Sequence, residues 1–142
     1  MVPPGRLYLI DKSALARLRT NEVVAGALRP LFAARAVATC AIIDLEAVYG
    51  ARDPAQGRAA LAAQRQCVSL PLDLAVARRA LEVQQQLLAR SRHRGVGVRD
   101  LLVAACAEVH RATVLHYDRD FDLIAEVTGQ PALWVAPPGS IP

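Results

Sequence analysis

Aromatic residues are scarce: two Phe, three Tyr and one Trp make up 4% of the 142 residues. A stacked-ring platform for unpaired bases is therefore not expected. Cysteine is also rare, and Cys40, Cys67 and Cys106 are odd in number, widely spaced and free of any CxxC pair. That excludes a zinc or dithiol motif and leaves them as small buried hydrophobes. No uninterrupted apolar run approaches the ~18 residues of a membrane span. The Leu7-Tyr8-Leu9-Ile10 run stops at Asp11, too short for the apolar stretch of a secretion signal. The expectation is a soluble, cytoplasmic protein without membrane contact.

What the chain does contain is aliphatic: 54% of it is hydrophobic, mostly Ala, Leu and Val, against 21% charged. A chain of this length can bury about two-thirds of its unfolded surface, which excludes disorder and favours one core over two. A single domain is expected over residues 1–135. Residues 136–142 hold three of the nine prolines and read as a loose tail. The net charge of +4 permits a polyanionic partner without requiring one.

Hydrophobic patterning alternates between short runs and helical periods. Leu7–Ile10, 35–39, 67–70, 113–116 and 132–135 read as strands. Helical spacing covers 13–34, 42–49, 54–64 behind the Asp53-Pro54 start signal, 73–90 and 100–110, with a short helix over 120–127. Along the 73–90 helix, Leu74, Ala77, Leu81, Gln84 and Leu88 mark one face. Strands alternating with helices predict an α/β fold: a central, mostly parallel sheet of about five strands with helices on both faces. Working sites in such folds lie beyond the carboxyl ends of the strands.

Carboxylates sit at those ends. Asp11 closes the first strand, Glu46 lies early in the helix after the second, Asp100 opens a helix, and Asp118 and Asp120 follow the fourth strand. In a parallel sheet Asp11 and Asp118 must emerge on the same edge. Gathering four or five carboxylates in one cleft is costly, and a hard divalent cation such as Mg²⁺ or Mn²⁺ offsets that repulsion. Asp44 and Asp53 read as structural, and Asp122 as a helix-start charge.

Four segments, 9–15, 44–50, 98–105 and 114–121, together resemble the PIN-domain ribonucleases, most closely the VapC toxins of bacterial VapBC toxin–antitoxin pairs. The resemblance runs from about residue 7 to 135. It implies a PIN-like fold and an Mg²⁺- or Mn²⁺-dependent endoribonuclease, active as a homodimer and neutralised by a cognate VapB-like antitoxin. Asp11, Glu46, Asp100 and Asp118 match the family's acidic quartet, and Asp120 a further metal-binding carboxylate. The implied reaction is hydrolysis of RNA by metal-activated water, leaving a 3′-hydroxyl and a 5′-phosphate.

Two positions depart from the family pattern: Lys12 follows the first Asp where a small hydroxyl residue is usual, and His116 stands where Thr or Ser is common. Ser13 still offers a hydroxyl beside the cleft. His116 reads equally as a strand-end residue bonded to backbone or as a phosphate contact. An alternative function is a catalytically silent PIN-fold module for RNA binding or assembly. A receiver-type phosphotransfer domain ranks lower, for want of an adjacent acidic pair at the first strand. Asp118-x-Asp120-x-Asp122 starts like an EF-hand loop, yet Leu123 and Gly129 occupy the glycine and glutamate positions. Gly95-x-Gly97 lacks the third glycine of a dinucleotide fingerprint. Arg90, Arg92, His93, Arg94 and Arg99 crowd the approach to Asp100, as a solvated loop or a phosphate-binding rim. Apolar stretches around 23–31 and 48–61 are the expected dimer and antitoxin surfaces.

Overall fold

Five short strands pair side by side in the order β3-β2-β1-β4-β5, and every pairing is parallel. They come from a computed structural model that describes residues 5–142, so positions 1–4 of the expected domain lie outside the described residues. In chain order the elements are β1 (Leu7–Ile10), α1 (Lys12–Thr20), α2 (Glu22–Ala33), β2 (Val37–Cys40), α3 (Ala41–Tyr49) and α4 (Pro54–Gln64). Then follow β3 (Val68–Leu70), α5 (Leu74–Ala89), α6 (Val98–Val109), β4 (Ala112–His116), α7 (Asp120–Thr128) and β5 (Ala132–Trp134). The fold is the α/β architecture that the patterning predicts.

Alternation along β1 sorts the two layers. Leu9 points into a core shared with Ile43 of α3, Leu87 of α5, Val103 of α6 and Phe121 of α7. Tyr8 and Ile10 point the other way, onto Ala14 of α1 and Val24 and Leu28 of α2. The chain winds outward from β1 to β2 and β3, then returns across β1 to lay down β4 and β5. The direction therefore reverses between β1 and β4. At their carboxyl ends a crevice opens, because the helices after the two strands leave on different paths.

Three local expectations need correction. The helical stretch over 13–34 is two helices, because Asn21 takes an extended backbone and its side chain caps α2 by accepting from the Val24 amide at 3.1 Å. Along α5 the predicted stripe faces water: Leu74, Leu81 and Leu88 are 63%, 59% and 55% exposed. The buried stripe is Val76, Ala80, Val83 and Leu87. The helix bearing Asp100 begins at Val98, with Gly97 as its cap.

Residues 136–142, expected as a loose tail, make specific contacts. The Tyr117 hydroxyl donates to the Ile141 carbonyl at 3.0 Å, and Arg17 Nε to the Pro142 carbonyl at 3.1 Å. Cys40 and Cys106 are buried and Cys67 half-buried, all as free thiols. Among the described residues no helix is long and apolar enough to cross a membrane.

Candidate active site

Asp11 is 1% exposed and stands where β1 turns into α1. Its Oδ2 caps that helix, accepting from the Ser13 amide at 3.0 Å and the Ser13 hydroxyl at 2.6 Å. The same hydroxyl oxygen accepts from the Tyr117 amide at 2.8 Å. Ser13 therefore ties the end of β1 to the end of β4, across the crevice floor.

Asp118 lies in the turn between β4 and α7. Its Oδ1 accepts from the Asp120 amide at 2.9 Å, a local turn that aims both carboxylates the same way. Asp100, in the first turn of α6, is buried and approaches from the other side. Asp100, Asp118 and Asp120 each present an oxygen within 4.8 Å of the other two. Burial, a hydrogen bond with Asp120 and the charges of Asp11 and Asp118 push the Asp100 carboxyl up to about 7, with Arg99 pulling the other way.

All five predicted carboxylates line one cleft edge, but they form two groups. Asp100, Asp118 and Asp120 compose the open one. Asp11 and Glu46 are drawn instead to Arg99, whose Nη2 donates to Asp11 Oδ1 at 2.5 Å. Arg99 Nε stands 2.5 Å from Glu46 Oε2, an ion contact off hydrogen-bond alignment that leaves both atoms without a hydrogen bond. Arg99 Nη1 pairs with Asp100 Oδ1. Sequence reasoning set this arginine among the rim residues; the structure seats it within the site. Its signal was adjacency to Asp100, which carries both side chains on one helical turn. The remaining rim arginines, Arg90, Arg92 and Arg94, are exposed, and Arg92 pairs with Glu126 at 3.0 Å.

The two departures from the family pattern resolve differently. Lys12 is exposed on the first turn of α1 and lines the cleft beside Asp11 and Glu46. His116 is fully buried between Phe121 and Trp134, with ring centroids at 5.1 and 4.9 Å. Its Nδ1 accepts from the Asp118 amide at 3.2 Å, so the proton of the neutral ring is on Nε2. Burial holds its pKa below the ordinary histidine value. The reading of His116 as a phosphate contact gives way to the structural one. Asp122, read as a helix-start charge, sits in the first turn of α7 and also accepts from Trp134 Nε1 at 3.1 Å.

An oxygen-only donor set in this spacing suits a hard divalent cation. Ligand oxygens about 2.1 Å from an Mg²⁺ ion lie up to ~4.2 Å apart, so small rotations of Asp100, Asp118 and Asp120 suffice. Fold and cleft thus define a class, the parallel α/β proteins with an acidic centre at the carboxyl edge of the sheet. A family model described as PIN domain matches residues 8–127. Ribonuclease VapC51 of Mycobacterium tuberculosis (strain ATCC 25618 / H37Rv) is 45% identical over 134 residues, spanning 94% of this chain and 96% of that protein. Ribonuclease VapC21 of the same strain is 40% identical over 136 residues, spanning 94% and 96%. The chain belongs to the PIN domain family, in the group of its VapC relatives. Among solved structures, DNA-bound VapBC from Salmonella typhimurium superposes with a TM-score of 0.74 at 17% identity, covering 92% of this chain and 99% of the other. VapBC2 from Rickettsia felis bound to a promoter DNA fragment gives 0.75 at 15%, covering 90% and 98%. At these identities the likeness is one of fold.

Proposed function

We propose that the chain is a divalent-metal-dependent endoribonuclease, the toxin of a type II toxin–antitoxin pair, built on one domain over residues 1–135. The observation that carries this reading is the convergence of Asp100, Asp118 and Asp120 at the switch point of the sheet, in a chain with relatives named ribonuclease VapC. An Mg²⁺ or Mn²⁺ ion bound there would supply positive charge to the scissile phosphate and acidify a water molecule.

The protein's own side chains do the rest. Asp100, Asp118 and Asp120 hold the ion, and Asp11 and Glu46 complete the acidic quartet on the adjoining wall. Ser13 orients Asp11 by giving it two hydrogen bonds. Lys12, free of any ion pair among the described residues and lining the cleft, attracts a backbone phosphate that the carboxylates alone would repel.

Solvent-facing apolar side chains suit protein partners. Leu45 and Tyr49 of α3 are 71% and 91% exposed, and Val23 of α2 is 77% exposed. These two surfaces, on opposite faces of the sheet, are where a VapB-like antitoxin and a second copy of the chain would dock.

Incubating antitoxin-free protein with total RNA and Mg²⁺ or Mn²⁺ tests the activity. Cleavage should leave 5′-phosphate ends, stop with EDTA, and fall at least ~100-fold in Asp100→Asn, the loss of several kcal/mol of charge stabilisation. Folded wild-type protein that binds RNA in either metal without cutting it would establish the silent-module alternative instead.

A further inference from the structure

The least expected feature of the cleft is that its carboxylates already hold a cation. The three nitrogens of the Arg99 guanidinium each meet a carboxylate from a different part of the fold: Asp11 after β1, Glu46 on α3 and Asp100 on α6. The consequence for ligand chemistry is specific. With Oδ1 paired to Arg99 and Oδ2 bonded twice to Ser13, both oxygens of Asp11 are committed. Glu46 Oε2 faces Arg99 as well. Among the described residues Asp100, Asp118 and Asp120 converge on a common point, although one Asp100 oxygen also meets Arg99.

We infer that Arg99 is a built-in counter-ion of the cleft, which masks Asp11 and Glu46 as ligands until a divalent cation displaces its guanidinium. A guanidinium keeps its charge at any ordinary pH, so it offers these carboxylates a permanent positive partner. Exchanging its single charge for a double one, among five carboxylates, favours the ion. Desolvation of the buried Asp11 and Asp100 carboxylates weakens the hold of the arginine. The Arg99 side chain is 27% exposed, which gives the displaced group a short route to water. The inference rests on reading the cleft as a divalent-cation site and adds to it a residue that sets how tightly, and with how many carboxylates, the ion is held.

Titration calorimetry of Mn²⁺ into the purified full chain distinguishes the two. Arg99→Gln should bind Mn²⁺ roughly 10-fold tighter than wild type, the scale of a direct coupling between two ligands of one site. Arg99→Lys, a point charge without the fork, should fall between them. Arg58→Gln, which removes the same charge from the exposed side of α4, should match wild type because solvent screens it. Thermal unfolding supplies the second readout: without metal Arg99→Gln should melt below wild type, and Mn²⁺ should raise its midpoint by more. If the Gln variant does not fold, an Mn²⁺ affinity in Arg99→Lys above that of wild type carries the same conclusion. Equal affinities in wild type and both Arg99 variants, or weaker binding in Arg99→Gln, overturn the masking role alone. Absence of Mn²⁺ binding in every variant overturns the cation site itself.

Discussion

The Ser13 hydroxyl is the residue on which the cleft floor turns. It donates to Asp11 and accepts from the Tyr117 amide, so one oxygen joins the two strand ends whose carboxylates must face each other. Ser13→Ala leaves that amide unpaired in a part-buried position, at an expected cost of about 1–2 kcal/mol in urea unfolding. Unchanged stability would mean that water replaces the hydroxyl and that the strand ends are held otherwise. Asp11, Asp100, Asp118 and Asp120 are legible in the sequence as candidate site residues because each adjoins an element end, where a parallel sheet leaves little choice of edge. Arg99 is not, because a long flexible side chain can turn to solvent or to the cleft with equal local propensity. His116 is half legible: its place at the end of β4 follows from the pattern, while its burial depends on Trp134, eighteen residues onward in β5.

Among the elements, α5 separates what periodicity can and cannot decide. Its helical period was plain, but two apolar stripes compete, and only the packing partner selects one. Leu87→Ala on the buried stripe should cost about 2–5 kcal/mol through lost contacts and a residual cavity. Leu81→Gln on the exposed stripe should change stability by less than about 0.5 kcal/mol. Chemical denaturation of both variants checks the assignment, and a large loss in Leu81→Gln would reverse it. The break at Asn21 was hidden for a related reason. The apolar spacing on either side stays nearly in phase, so only the capping bond to Val24 reveals two helices.

For the whole molecule, segregation of charge matters more than its sum. With five carboxylates and Arg99 gathered at the cleft, eight acidic residues remain against sixteen basic ones elsewhere. The rest of the chain is accordingly basic in sum, and nucleic acid becomes a natural partner. RNA affinity should fall with salt at a log–log slope of roughly −2 or steeper, the signature of about three phosphate contacts to a single strand. A flat salt response would argue against backbone recognition. The scarcity of aromatics has a matching explanation, since Tyr8 and Phe121 are buried in the core and Trp134 packs against His116 and Tyr117. Tyr49 of α3 is the fully exposed ring, and one ring makes no stacking platform.

The account stands on a divalent cation held at the switch point of the sheet by Asp100, Asp118 and Asp120. Anomalous diffraction from crystals soaked in Mn²⁺ locates such an ion directly. The expected result is a peak roughly 2.1–2.2 Å from oxygens of these three residues, lost in Asp100→Asn. Crystals whose Mn²⁺ peak lies away from these three residues, together with RNA cleavage in solution that survives EDTA, would contradict it.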